Sequence, residues 1–446
     1  MSKFTKSIRN FFRKKFSYSI VNEIVLNAIG IFVLKVSQVF LSILLALVLG
    51  RKVGPSGLGA YSFAISTVGI AIIIAVVGLP QIVIRETAIY VSQKKWNLLK
   101  GLLNWSQVLV LIISIVLSVF IFIIIIIFGK RDNILHTALL ICLISLPPIA
   151  QLRIRQSFLQ GLNRMILGLL PETLLQPSIT IIFVIILSIL YQERLTPLKS
   201  IWAHNFAVTI CYIIVFAILY YLIPRPVHKC NAVCNINDWI HSSIPLLFVQ
   251  SMHVLNNRLD IVMIGFFLNA DAVGVYTAAN RATQFIAFGL IATSFALRPK
   301  VANAHANGDR EFIQKSLTSS ARVGLLIAIP IIISFVIFGK YILLLFGHGF
   351  EKGYRCLMIL SIAQLVNNGA GCVAMILTSC RYERQTAFGI LMGAISNIIL
   401  NFLLIPIWGI EGAAVASGVS MIVWNIVLFK IVRSRLGMTP GPIRRT

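Results

Sequence analysis

Charge is scarce in this chain, and acidic charge is scarcest. Asp, Glu, Lys and Arg make up 12% of the 446 residues, about half the share found in soluble domains. Only 13 residues are acidic, against 39 basic ones. The hydrophobic set fills 58% of the sequence, and the mean hydropathy is +0.92. So few charges cannot cover a water-facing surface. This excludes the string of soluble domains that the length alone suggests, and it makes a bilayer the solvent.

Other absences narrow the function. No polar stretch is long enough to fold as a soluble catalytic or nucleotide-binding domain. No G-x-x-x-x-G-K-[ST] occurs, so no backbone cradle for ATP phosphates is present. Gly54-Pro55-Ser56-Gly57-Leu58-Gly59 supplies glycines without the following Lys-Ser/Thr and reads as a turn. The seven cysteines are odd in number and lie mostly in apolar runs, so no disulfide framework is implied. Cys230 and Cys234 share a polar loop with His228 and His241, but the spacing matches no common zinc pattern. The net charge of +26 is scattered in clusters between apolar runs rather than gathered into a patch, which argues against nucleic acid as a partner.

What remains is hydrophobic length. Twelve runs of about 20 residues qualify as spans. They cover 24–49, 58–83, 105–128, 134–152, 165–190, 199–223, 242–267, 272–297, 319–338, 354–379, 385–407 and 410–432. Prolines 147, 148, 171 and 177 interrupt the fourth and fifth. Lys3, Lys6, Arg9, Arg13, Lys14 and Lys15 precede the first run and place the N-terminus in the cytoplasm. With twelve spans both termini are inside, and 27 of the 39 Lys and Arg then fall on the cytoplasmic side against nine outside. That is the positive-inside bias. The first run is too long, and lacks the exit, for a cleaved signal peptide. Segment 3–16 mixes Phe4, Ile8, Phe11, Phe12 and Phe16 with its bases, the composition of an amphipathic helix on an anionic leaflet or of a mobile basic tail.

The sequence repeats. A shift of 215 residues lays Gly50 on Gly265, Gly59 on Gly274, Tyr61 on Tyr276, Ala64 on Ala279 and Lys100 on Lys315. Six spans per half bring the second half in with the orientation of the first, so the repeats are parallel. The expected fold is an all-α integral membrane protein of about twelve transmembrane helices in two six-helix lobes. The lobes are 24–223 and 242–432, joined by the cytoplasmic linker 224–241 and flanked by basic segments 1–23 and 433–446. Such proteins place the substrate between the halves near mid-membrane.

Lys35, Glu172, Arg258, Asp260 and Arg281 fall inside spans, where each is costly unless it faces protein or water. Gln250, His253, Asn257 and Asp260 form one helical stripe on the seventh span. Lys35, Gln38 and Ser42 form another on the first, and the 215 shift superposes the two. Thr277, Arg281 and Gln284 make a third on the eighth. Facing stripes would line a central cavity whose cations, Lys35, Arg258 and Arg281, outnumber its acids. That suits a phosphate or pyrophosphate head group better than a cationic drug. Asp260 also falls within about a helical turn in height of Arg281, so an Asp260–Arg281 pair with a purely structural role is an open alternative. Glu172, beside Pro171, either reaches the interface or faces the cavity.

The motifs now point to a family. Leu49-Gly50 through Gly54-Pro55-Ser56-Gly57-Leu58-Gly59-Ala60-Tyr61-Ser62-Phe63-Ala64 resembles the region after the first span of the oligosaccharide repeat-unit flippases. These are the Wzx-type O-antigen and capsule transporters of the MATE-like MOP superfamily. Gly78-Leu79-Pro80-Gln81 with Arg85, and Asp260 with Ile264-Gly265 and Val273-Gly274-Val275-Tyr276, are similar to further family segments. The resemblance implies two lobes around a positive cavity. It also implies an undecaprenyl-pyrophosphate-linked oligosaccharide moved from the inner to the outer leaflet of the bacterial inner membrane. Polysaccharide polymerase and chain-length regulator partners follow from the resemblance only. On this reading Lys35, Arg258 and Arg281 neutralise the pyrophosphate. Gln38, Gln250, His253, Asn257 and Gln284 bond sugar hydroxyls. Asp260 or Glu172 carries any coupled H+ or Na+, with no other cofactor. An exporter of drugs or metabolites with the same fold is the alternative. A membrane glycosyltransferase or polymerase ranks third, because no outer loop is long enough to hold its chemistry.

Overall fold

The computed structural model describes residues 2–128, 133–190 and 196–442; within these, the side chains of 2–28, 244, 245, 248–250 and 253 lie outside the description. Among the described residues every element is helical.

Helix α1, Ser2–Val76, carries the first two apolar runs. They meet at Gly54, whose φ of 73° breaks the helix without a Cβ penalty. Pro55, which has no N–H to donate, follows. The expected outer loop is thus a kink rather than a separate turn. Helix α2, Leu79–Ser92, continues the second run after a break at Val77 and Gly78. Helix α3 spans Trp96–Phe128.

The fourth run is a bent pair, α4 at Ile134–Leu143 and α5 at Leu146–Gly161, angled by 48°. Pro147 and Pro148 open α5, where a missing N–H costs little. The sequence reading closed this span at 152, but the helix runs on to Gly161. The fifth run is α6 at Met165–Leu170, a wide π turn at Pro171–Leu175, and α7 at Gln176–Leu190. Pro171 and Pro177 withhold the amides that regular α-helical bonds would use. Helix α8, Pro197–Leu222, closes the first half, and α9, Arg225–Lys229, lies in the linker.

The second half holds α10 at Ile236–Phe267, α11 at Ala270–Ala306 and α12 at Arg310–Leu344. The tenth run divides into α13, Tyr354–Ala370, and α14, Val373–Ser379. Helix α15, Glu383–Leu436, joins the last two runs across Gly409, φ 59°. Among the described residues, eight helices are long and apolar enough to cross a membrane, or nine with the bent pair. With α1 and α15 each holding two runs, and α10 added, the segments are consistent with twelve spans. Val108, Ile112, Ile115, Val119, Phe122 and Ile126 form an exposed stripe on α3, spaced three and four apart as a lipid-facing helix requires.

The two halves meet along α1 and α11. Gly59 lies so close to the Ala270 carbonyl and the Gly274 backbone that a Cβ would overlap them. Gly274 lies equally close to the Pro55 carbonyl and the Gly59 backbone. Pro55 and Ala270 are themselves 215 residues apart. The contact is therefore reciprocal, which is what a two-fold axis produces. Beside it Arg51 Nε donates to the Leu345 carbonyl at 2.6 Å. At the other end Trp239 Nε1 donates to Tyr90 Oη at 3.0 Å, and the Trp105 and Trp239 rings lie 5.3 Å apart. Contacts between the halves therefore occur toward both ends of the seam, with space left between them.

Candidate functional site

That space begins at Arg258. The residue leaves α10 and crosses to the first half, where Nη1 donates to the Ile65 carbonyl at 2.9 Å. Gly69, one turn further along α1, makes room: a Cβ there would overlap the guanidinium. Beside it a cavity of about 200 Å³ is lined by Gln38, Ser42, Tyr61, Glu172, Arg258 and Arg281, among others. A second cavity of about 70 Å³ shares Glu172, His204 and Arg258 with the first and adds Arg153 and Gln156. Tyr61 Oη and His204 Nδ1 lie 3.2 Å apart and brace the wall.

Arg153 Nη2 and Glu172 Oε1 pair at 3.3 Å, with the Glu172 side chain still 42% exposed. The pair is half-buried and open to the cavity on the carboxylate side, so its groups remain available to a ligand. Across the two cavities three guanidinium groups face this single carboxylate among the described residues. The sum is cationic, and the planar forks suit phosphate oxygens.

The first-span stripe reaches this site in part. Lys35 Nζ donates to Gln38 Oε1 at 3.0 Å. Gln38 and Ser42 line the larger cavity, and Lys35 stands behind Gln38. Ser42 Oγ lies 3.5 Å from Gln284 Oε1 on α11. Gln250 and His253 have side chains outside the described residues.

The described part of the seventh-span stripe, Asn257 and Asp260, does not face the first as expected. Asn257 and Asp260 line a separate cavity of about 110 Å³ inside the second half, together with Tyr276, Asn280, Asn397 and Ser417. The buried Asp260 carboxylate accepts from Tyr276 Oη at 2.7 Å, from Asn401 Nδ2 at 2.8 Å and from Ser417 Oγ. No Asp260–Arg281 ion pair forms among the described residues. Helical phase explains the split. Residues 258 and 260 point about 160° apart on α10, and 276 and 281 about 140° apart on α11. The hairpin sets Asp260 and Arg281 at similar heights but on different faces. Asn401→Leu removes one of the three donors and leaves the buried carboxylate short of a partner. A loss of about 2 kcal/mol is expected, read as a lower melting temperature of the purified protein.

Sequence reasoning missed Arg153, Gln156, Tyr61, His204 and Asn401. The fourth apolar run ends at residue 152, so hydropathy alone puts Arg153 in a loop. The available signal was Pro147-Pro148, which starts a helix rather than ending one. Tyr61 sits in a motif already singled out, but nothing in its neighbours showed that α8 would bring His204 against it.

Two helical halves about a pseudo-two-fold axis, with a cationic cavity at the seam, define a multi-pass membrane protein of transporter architecture. The profile of a family described as polysaccharide biosynthesis protein matches residues 24–305, and the chain belongs to that family. A second profile, MatE, matches residues 245–403. The chain is 28% identical over 171 residues to the probable low-salt glycan biosynthesis flippase Agl15 of Haloferax volcanii, covering 38% of this chain and 36% of that one. The match thus spans little more than a third of that relative. Two solved structures share the fold. An inward-facing multidrug resistance MATE family transporter of the MOP superfamily superposes with a TM-score of 0.73 at 13% identity, over 90% of this chain and 94% of its own. The lipid II flippase MurJ in an inward closed conformation gives 0.70 at 18%, over 92% and 87%.

Proposed function

We propose that this protein flips an undecaprenyl-pyrophosphate-linked oligosaccharide from the inner to the outer leaflet of the bacterial cytoplasmic membrane, for O-antigen or capsule assembly. The observation that carries the reading is Arg258. It is rooted in one half, anchored on the other, and lines one cavity with Arg153 and the adjoining one with Arg281. A pyrophosphate held there touches both halves, so binding it biases their relative position. Gln38, Ser42 and Gln284 supply hydroxyl partners for the first sugars. Lys35, hydrogen-bonded to Gln38, adds positive potential behind them.

Both termini lie in the cytoplasm on this reading, as the basic bias demands. Without a site for ATP, the drive comes from an ion gradient or from consumption of the product outside, where a polymerase and its chain-length regulator would act. Asp260 is the better ion carrier of the two acids, because Glu172 already has Arg153 as its counter-charge. The neutral oxygens around Asp260 suit H+ or Na+ alike. Asp260→Asn is expected to abolish any dependence of transport on an imposed ion gradient while leaving membrane abundance unchanged. Dependence that persists in the variant would move the coupling elsewhere.

The test is genetic. Cells that make surface polysaccharide by this route lose it on deletion of the gene and accumulate lipid-linked repeat units on the inner leaflet. Wild type restores the surface glycan and Arg281→Ala, at equal abundance, does not. Unchanged glycan after deletion, with no redundant flippase present, would overturn the reading.

A further inference from the structure

A second cationic cavity lies on the flank of the first half, sharing no lining residue with those at the seam. It measures about 240 Å³ and opens between α3, α5, α8 and the linker helix α9, lined by Lys100, Asn104, Gln107, Arg155, Tyr220 and His228, among others. The central residue is Arg155, only 5% exposed. Its guanidinium lies over the Tyr212 and Phe216 rings, 4.5 and 4.6 Å from their centroids. One amino group, Nη2, donates to Gln107 Oε1 at 3.0 Å. Nε and Nη1 are buried and make no close hydrogen bond among the described residues, with the Tyr212 side chain as a weaker polar neighbour.

Stacking engages the face of a guanidinium and leaves its edge donors unsatisfied. A buried cation with two poorly paired N–H edges and no counter-ion is costly. Among the described residues no carboxylate lines the cavity. Lys100 adds a second positive charge. Its Nζ donates to the His228 and Cys230 carbonyls at 3.1 and 2.8 Å, pinning the linker over the cavity. Asn104 and Gln107 add amide groups from the same face of α3. The balance of charge at this cavity suits an anion.

The surroundings define the anion further. Leu103, Leu219, Ile223 and Val227 form the apolar part of the wall. Tyr220 and Tyr221 are exposed at 58% and 83%, as aromatics are at the level of lipid head groups. Lys94, Lys95, Arg225 and Lys229 flank the site in sequence. Basic pockets between spans on the cytoplasmic side take phospholipid phosphates.

We propose that this cavity binds a phosphate group through Arg155 and Lys100, carried either by an anionic phospholipid of the inner leaflet or by a soluble phosphate. The site holds one element of the first half, the α3–α5–α8 cluster, against the linker to the second. Its occupancy is independent of what the central cavity carries.

The test uses the full-length purified protein with phosphatidylglycerol, phosphatidylcholine and inorganic phosphate as probes. Native mass spectrometry after mild delipidation counts retained lipid, and melting curves report phosphate binding. Arg155→Gln and Lys100→Gln are compared with wild type, and melting without ligand checks that each folds. Lys100→Gln, at the rim, serves if Arg155→Gln does not. With a lipid ligand, wild type retains one phosphatidylglycerol in preference to phosphatidylcholine. Arg155→Gln then weakens that retention by about tenfold or more, the scale of a lost charge-assisted pair. With a soluble ligand, wild type shows no lipid preference, but inorganic phosphate raises its melting temperature and not that of the variants. Equal retention of both lipids together with no phosphate-induced shift would overturn the proposal. So would a preference or shift that survives unchanged in folded variants.

Discussion

Arg258→Ala is expected to lower flipping by about 100-fold at normal membrane abundance. The estimate takes a bidentate arginine–pyrophosphate contact at about 3 kcal/mol. The folded protein loses the bond to the Ile65 carbonyl and the packing on Gly69, and it sheds the cost of a desolvated charge in return. Abundance and melting temperature therefore change little, while transport falls. Arg258→Lys recovers part of the loss, because a point charge keeps the attraction without the planar fork. The measurement is leaflet distribution of lipid-linked repeat units in complemented cells. Equal transport by wild type and Arg258→Ala would remove this residue from the substrate site.

Gly59→Val is also expected to be damaging, for a different reason. Gly59 and Gly274 let two backbones touch at the pseudo-two-fold axis, and a side chain at either position overlaps a carbonyl across the seam. Helix backbone cannot yield as a flexible side chain does. The halves can no longer close at this end, so the population shifts to a form open there. A cysteine placed at Thr277, which lines the larger cavity, then reacts with an impermeant maleimide added outside. It stays protected in the Gly59 parent. Flipping falls about tenfold or more, since a shift of a few kcal/mol depopulates the closed form by that factor or above. Protection and full flipping in Gly59→Val would mean that the seam does not open during transport.

The sequence carried much of this architecture because its signals are local. Apolar run length, basic clusters and the 215-residue shift each need only the chain itself. The repeat even placed Gly59 and Gly274 in register before their contact was visible. Side-chain facing was harder. On the seventh span the spacing put Asn257 and Asp260 on one polar face, and they do line one cavity, but inside the second half. Arg258, off the stripe, is the residue that reaches the seam. Periodicity says which residues share a face, but not which neighbour that face meets. The partners of Asp260 come from α11 and α15, up to 157 residues away. Arg153 and Arg155 were hidden by a different effect. Hydropathy ends a span where charge begins, whereas helix geometry carries α5 onward to Gly161.

The most direct test of the account is reconstitution. Purified protein is placed in liposomes that hold a labelled polyprenyl-pyrophosphate oligosaccharide in one leaflet, and access of an impermeant sugar-modifying reagent reports movement. Wild type should equilibrate the label across both leaflets far faster than protein-free vesicles, Arg258→Ala should not, and added free pyrophosphate should compete. Label that stays in its original leaflet with folded wild-type protein, under every imposed H+ or Na+ gradient, would contradict the account.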